Sequence, residues 1–285
     1  MPQADPLKVK GAAFAGTFCV LVDAEGSAYK TDKEFTTLLP LEGLPGVRMV
    51  AAEGTTVLAV DFQGVVWLIH QTGAATIDQR LSHLRIYQIT RGYRFLLAQD
   101  EEGKLWGWGT NSQGHLGVPG VAQLEEVTHI KVEGLPTGPF RCLSAGWDFS
   151  FLIDCEGGAW ACGNNEFGQM ANGSLQKVET FTKMPSLPPL ESASVGGRHV
   201  LAKGEEKETW VWGCNAGRRL GLEEATPRTL TRLSTNPFRT SAGRFHSLMA
   251  VSDGIVSFHG NQDSTDEEWP SFFLTAPSRM KSARS

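Results

Sequence analysis

Four groups of side chains in this 285-residue chain have the types and spacing to do chemistry, and all four are charged rather than nucleophilic. The run Lys203-Gly204-Glu205-Glu206-Lys207-Glu208-Thr209 alternates sign over seven residues. Arg198-His199 and Arg244-Phe245-His246 repeat one pattern 46 residues apart, each after a glycine, and Asp263, Asp266, Glu267 and Glu268 form an acidic run. Groups of this kind recognise a protein partner by charge and hydrogen bonding. The two histidines also admit a second reading, as hydrogen-bonded structural elements.

Covalent catalysis has no foothold in the sequence. There is no nucleophile elbow and no Walker loop, and Gly107-Trp108-Gly109 followed by Gly114 lacks the spacing and the helix of a dinucleotide fingerprint. Five cysteines cannot all pair within one chain, and Cys19, Cys142, Cys162 and Cys214 fall inside apolar strand patterns, so buried thiols are expected. Cys155 and Cys162 flank one hairpin and are the only pair that spacing brings near each other. Neither cysteines nor histidines show metal-ligand spacing, and no cofactor is called for.

The elements that must position the charged groups are repeats. Turn glycines Gly26, Gly64, Gly103 and Gly157 follow one another at 38, 39 and 54 residues, each with an aromatic three positions later: Tyr29, Trp67, Trp106 and Trp160. A fifth copy runs through Val195-Gly196-Gly197-Arg198-His199 to Trp210-Val211-Trp212-Gly213, and a sixth is anchored on Asp253-Gly254. The six motifs span approximately 9–30, 47–68, 84–117, 138–171, 190–221 and 238–262. Such a repeat is a supersecondary unit that hides its apolar face only against its neighbours.

Each copy reads as a hairpin. Phe95-Leu96-Leu97-Ala98 and Phe151-Leu152-Ile153 are short apolar runs suited to buried inner strands, and Glu101-Glu102-Gly103 places glycine where a tight turn needs positive φ. Leu105-Trp106-Gly107-Trp108-Gly109 is the return strand, its glycines leaving room for an indole to cover a neighbouring sheet. The run Lys203–Thr209 stands where other copies turn tightly, so it is expected to lengthen the fifth hairpin and project from the rim.

Composition agrees with a ring of small sheets: 32 glycines, 41% hydrophobic and 20% charged residues. With 26 Lys plus Arg against 31 Asp plus Glu, the formal charge is -5, which disfavours nucleic acid as a partner. Arg279, Lys281 and Arg284 make only a short basic tail. No stretch has the length of a membrane span and the N-terminus lacks a secretory apolar core, so a cytoplasmic or nuclear location is the expectation.

The strings Ala145-Gly146-Trp147-Asp148-Phe149-Ser150-Phe151-Leu152, Leu105 through Gly117, and Ala242-Gly243-Arg244-Phe245-His246-Ser247-Leu248 resemble the repeat of the regulator of chromosome condensation family. The resemblance covers about residues 9 to 262 and is clearest from 84 onward. It implies an all-β fold, a single β-propeller of six to seven four-stranded blades. The first two copies lack the family's Asn-x-x-Gly-x-Leu-Gly tail, so abbreviated connections and irregular blades are expected at 31–44 and 69–84. Only 24 residues follow Asn261, too few for a blade of about 40 to 50. Trp269 and Phe272-Phe273-Leu274 are therefore the candidate strand for closing the ring within a 263–285 segment.

For function, the resemblance implies either a non-catalytic protein-interaction scaffold, expected to be monomeric, or a guanine-nucleotide exchange factor for a Ran-like small GTPase. In the second case the projecting 203–209 run would be the element wedged into the nucleotide site.

Overall fold

The computed structural model describes residues 9–33, 35–53, 55–184, 187–223, 230–234, 237, 239–252 and 255–260. They form six antiparallel sheets, each a meander in sequence order. The first blade is β1 (Val9–Ala15), β2 (Phe18–Asp23), β3 (Ala28–Thr31) and β4 (Leu38–Pro40); the second is β5 (Val47–Glu53), β6 (Thr56–Asp61), β7 (Val66–Ile69) and β8 (Ala75–Ile77). The third is β9 (Ile86–Gly92), β10 (Phe95–Asp100), β11 (Leu105–Thr110) and β12 (Gln123–Ile130), and the fourth is β13 (Cys142–Ala145), β14 (Phe149–Ile153), β15 (Ala159–Gly163) and β16 (Val178–Lys183). The fifth is β17 (Leu190–Val195), β18 (His199–Gly204), β19 (Thr209–Gly213) and β20 (Thr231–Arg232), and the sixth is β21 (Arg239–Ala242), β22 (His246–Ser252) and β23 (Ile255–Gly260). The chain is thus a six-bladed propeller with mostly four-stranded blades. First strands of successive blades touch one another from β1 to β21 and line the axis.

Second strands carry the core because both of their faces meet a neighbouring blade. All six residues of β10 and all five of β14 are buried. Alternate side chains point to opposite neighbours: Leu97 packs toward the fourth blade with Phe95, while Leu96 and Ala98 pack toward the second with Leu58 and Val60. Five such apolar layers join consecutive blades. Trp212 and Phe151, both fully buried with ring centroids 5.7 Å apart, cross the layer between the fourth and fifth. Side chains of this size each contribute about 1.5–3 kcal/mol by burial.

Among the described residues, no apolar layer joins the sixth blade to the first. Leu97, Phe151 and Leu201 are fully buried against the next blade, yet their counterpart Leu248 is only partly covered. Leu21 of the first blade is likewise partly covered, whereas its counterparts Ala59 and Ala98 are fully buried. Trp269 and Phe272 to Leu274, expected to close the ring, lie outside the described residues, as does the rest of 263–285.

The expected irregularity of the first two blades takes a mild form. Both are four-stranded, because β4 and β8 supply three-residue outer strands within the stretches read as connections. In the third to fifth blades the tail is organised by one asparagine: the side-chain oxygens of Asn111, Asn165 and Asn215 accept the backbone N–H of Leu116, Met170 and Leu220 at 2.7, 2.9 and 2.8 Å. Their amide nitrogens donate to carbonyls farther along the same loops, Asn111 to Val118 and Val121, Asn165 to Ser174 and Asn215 to Leu222. The space beside Gly107 is filled by Ile130 and Leu116 of its own blade rather than by an indole. Trp106 and Trp108 pack on the opposite side, toward the second blade. No helix among the described residues is long and apolar enough to cross a membrane.

Candidate functional site

In the first five blades the turns between second and third strands gather at one end of the ring. Each of these five is held by a buried carboxylate that the sequence pattern of glycine and aromatic did not disclose. Asp154, 3% exposed, accepts backbone N–H groups from Glu156 and Gly158 at 3.0 and 2.7 Å through Oδ1, and the Trp160 indole N–H at 2.9 Å through Oδ2. Asp61 with Trp67, Asp100 with Trp106, and Asp23 with the Tyr29 hydroxyl repeat this clamp. The readable signal is an aspartate three residues before the turn glycine and six before the aromatic. These carboxylates hold the turn and its aromatic in place.

The fifth blade varies the clamp, and this corrects the expected projection at 203–209. Lys207 N–H donates to the Gly204 carbonyl and Gly204 N–H to the Glu208 carbonyl, the same pairing as Gly157 with Asp154 and Asp154 with Gly158. The turn is therefore no longer than the others. Gly204 stands where the other blades have aspartate, and Glu208, 6% exposed, supplies the carboxylate to the Trp210 indole at 3.1 Å. A Cβ at position 204 would lie 1.6 Å from Glu208 Oε1, so any side chain there would push this carboxylate out of its place beside Trp210. Lys207 takes the turn-glycine place with φ 72°, a conformation that a residue with a Cβ adopts at a cost. Lys207→Gly should stabilise the protein by about 1 kcal/mol, read as a raised denaturation midpoint.

The remaining charges of this run are ordinary rim groups. Glu205 pairs with Arg141 at 2.6 Å, Lys207 with Glu191 at 2.9 Å, Lys203 donates to the Pro237 carbonyl, and Glu206 is exposed. Glu25, Glu101, Glu102 and Glu156 are exposed on the equivalent turns, where Glu101 and Glu102 pair with Arg48 and Lys104 at 3.6 and 2.5 Å, so charges of both signs stand at this end.

The opposite end is formed by the turns between first and second strands. A central cavity of about 430 Å³ opens there, lined by residues of all six blades. Its charged lining comprises Arg91, Arg94 and Arg244, with His246 beside them and no carboxylate among the described residues. Backbone bonds tie these turns into a rim: Tyr93 N–H donates to the Trp147 carbonyl at 3.2 Å and Trp147 N–H to the Gly197 carbonyl at 3.0 Å.

Trp147 is the centre of an arginine–aromatic cluster at this mouth. The Arg244 and Arg198 guanidinium carbons lie 4.2 and 5.0 Å from its ring, and Phe245 meets it edge-on at 5.1 Å. Arg198 also lies 4.8 Å from the Phe167 ring, and Arg219 5.5 Å from Phe245. Guanidinium over an indole face is attracted by the ring quadrupole and is less strongly hydrated than ammonium. Burial holds the Asp148 carboxyl above its ordinary range, partly opposed by Arg198. Arginine, tryptophan and tyrosine side by side, with half-exposed Tyr93 on the rim, are the residue types that dominate binding energy at protein interfaces.

The structure separates the paired motifs that sequence made look alike. Arg198 and Arg244 reach the mouth. His199 is fully buried between blades, its Nε2 paired with Ser247 Oγ at 2.9 Å, and it occupies the place of Phe95 and Phe149 in the third and fourth blades. His246 is 7% exposed in the corresponding place of the sixth. Asp263, Asp266, Glu267 and Glu268 lie outside the described residues. All five cysteines are free thiols: Cys19, Cys162 and Cys214 are buried, Cys142 is half-buried, and Cys155 is exposed because it sits on a turn tip.

Comparison with known proteins fits this geometry. Residues 140–169 and 156–202 match the regulator of chromosome condensation (RCC1) repeat. Similar proteins include the human probable E3 ubiquitin-protein ligase HERC6, 25% identical over 67% of this chain and 20% of the ligase, and the ultraviolet-B receptor UVR8 of Arabidopsis thaliana, 24% identical over 65% and 46%. The secretion-regulating guanine nucleotide exchange factor of Bos taurus is 26% identical over 69% of this chain and 45% of its own length. The chain thus spans less than half the length of these relatives. Among solved structures, Prp20p from Saccharomyces cerevisiae, described with its binding properties to Gsp1p and histones, superposes with a TM-score of 0.72 at 17% identity, covering 91% of this chain and 70% of that one. Human WBSCR16 gives 0.73 at 15% identity, over 92% and 75%. At these identities the likeness is one of fold.

Proposed function

We propose that this propeller is a non-catalytic scaffold that binds a protein partner through the arginine–aromatic mouth at the end formed by the turns between first and second strands. The observation that carries this reading is the cluster of Trp147 with Arg198, Arg244 and Phe245 beside a cavity whose lining includes Arg91 and Arg94. Function on a shared scaffold lives in such sites rather than in the fold, and the similar proteins carry different activities on this architecture.

The test compares the two ends of the ring. Tyr93→Ala combined with Arg94→Glu alters exposed positions at the mouth and should leave thermal unfolding unchanged while weakening partner binding at least tenfold, the loss of one hot spot. Glu102→Lys with Glu156→Lys, at the opposite end, should bind as the parent does. Loss confined to the second variant would put the partner on that opposite end and overturn the proposal.

Exchange on a Ran-like GTPase is the second reading, supported by the relative described as a guanine nucleotide exchange factor and by the fold shared with Prp20p. The 203–209 turn lends it no support, being a tight turn with Glu208 buried beneath it. Release of a fluorescent guanine nucleotide from a panel of small GTPases, Ran included, decides between them: acceleration by catalytic amounts of this protein would replace the scaffold by an exchange factor.

A further inference from the structure

Asn172-Gly173 is the one step in the chain where asparagine precedes glycine; the other asparagines precede Ser, Asn, Glu, Ala, Pro or Gln. The pair lies in the tail of the fourth blade, on the loop joining β15 to β16, and both residues are exposed. An asparagine amide is open to attack by the backbone nitrogen of the next residue, an intramolecular reaction that glycine obstructs least because it has no Cβ. Asparagine is for this reason among the thermally labile residues.

The loop arranges the groups such an attack needs. Asn172 Oδ1 accepts the Ser174 backbone N–H at 3.1 Å and the Asn165 Nδ2 amide at 3.2 Å. The buried Asn165 amide is itself held in one orientation, with Met170 N–H donating to its Oδ1 and its Nδ2 donating also to the Ser174 carbonyl. Two donors thus face the oxygen on which negative charge develops when the amide carbon is attacked, the arrangement that stabilises a tetrahedral intermediate. The Gly173 N–H donates to no group among the described residues, and a Cβ placed on Gly173 would meet nothing within 4 Å. The attacking nitrogen is therefore open to the solvent base that must take its proton.

We infer that Asn172 is a self-modifying site, converted without an enzyme to aspartate or isoaspartate. Hydroxide takes the Gly173 N–H proton as the nitrogen bonds to Asn172 Cγ; the bond from Cγ to the side-chain nitrogen then breaks, and ammonia leaves with a proton from water. Water opens the resulting cyclic imide at either carbonyl, and no electrons are exchanged. The product gains one negative charge and, in the isoaspartyl form, one extra backbone methylene. Both changes fall on the loop that sets Phe167 against Arg198, so an aged chain presents an altered edge of the arginine–aromatic cluster.

The experiment incubates the full chain in mildly alkaline heavy-oxygen water and follows its digest by mass spectrometry, beside a synthetic peptide copying residues 168–177. Asn172 should lose its amide nitrogen and take up heavy oxygen in the folded protein at least as fast as in the free peptide, the two acid forms separating by chromatography. A slower rate in the folded protein would overturn the inference, because the loop would then be holding the amide away from Gly173. Asn164 Oδ1 also accepts two donors, Glu166 N–H at 2.9 Å and Gln169 Nε2 at 3.4 Å, but this residue is buried and precedes a side chain, so it should stay intact. Ser174→Pro removes one donor from the developing oxyanion and should slow conversion in the folded protein about tenfold or more. An unchanged rate at an unchanged denaturation midpoint would reduce the site to its sequence and likewise overturn the inference. The comparison with the free peptide decides the matter even if that variant does not fold.

Discussion

Asp154→Ala should destabilise the protein by about 3 kcal/mol or more, because one buried carboxylate satisfies three donors at once and its loss strands the Trp160 indole N–H in the core. Equilibrium denaturation should show a lowered midpoint. The fifth blade suggests the control. There the carboxylate enters from the position after the turn residue, as Glu208, over Gly204. Combining Asp154→Gly with Gly158→Glu should therefore recover part of the lost stability, whereas Asp154→Gly alone should not. A neutral Asp154→Ala would show that the turn does not depend on the clamp.

The second large effect is acid lability. Burial pushes the His199 imidazole down to about 3 and that of His115 down to about 4, so both stay neutral in the folded ring. In the unfolded chain they titrate near 6.5. As pH falls below that value the unfolded state binds protons the folded state refuses, and stability declines by about 1.4 kcal/mol per histidine per pH unit. The decline ends for each at its folded value, near 4 and near 3. Denaturation at pH 6 and pH 5 should differ by about 2–3 kcal/mol from these two groups, with no contribution above pH 7. His199→Phe, which installs the residue found in the same place as Phe95 and Phe149, should reduce that slope by about one proton. An unchanged slope would place the acid sensitivity elsewhere. Substituting Ser247→Ala alongside removes the hydroxyl that would otherwise lose its partner.

The repeat architecture was legible in the sequence because periodic glycines and apolar runs are what a stacked sheet requires, and positions such as Phe151 and Leu97 have no other use. The turn at 203–209 was misread for a physical reason. With Gly204 and Lys207 exchanging the usual places of aspartate and glycine, the run looks like an insertion, although the hydrogen bonds that define the turn come from the backbone and are unaltered. Arg198 and Arg244 were found through their position after the repeat glycine. Trp147, Phe167 and Arg219 were not, since they come together only when three blades are laid side by side. His199 and His246 carried the same signal as their arginine neighbours, but alternation along the strand turns them inward.

Each apolar layer is the shared property of two blades, so the second to fifth blades each draw cohesion from both neighbours and none of them is a separable unit. The mouth cluster is divided in the same way: Trp147 falls on the fourth blade, Arg198 on the fifth and Arg244 on the sixth. Whatever grips that cluster therefore braces three consecutive blades at once, so occupancy of the mouth and rigidity of that arc of the ring rise together.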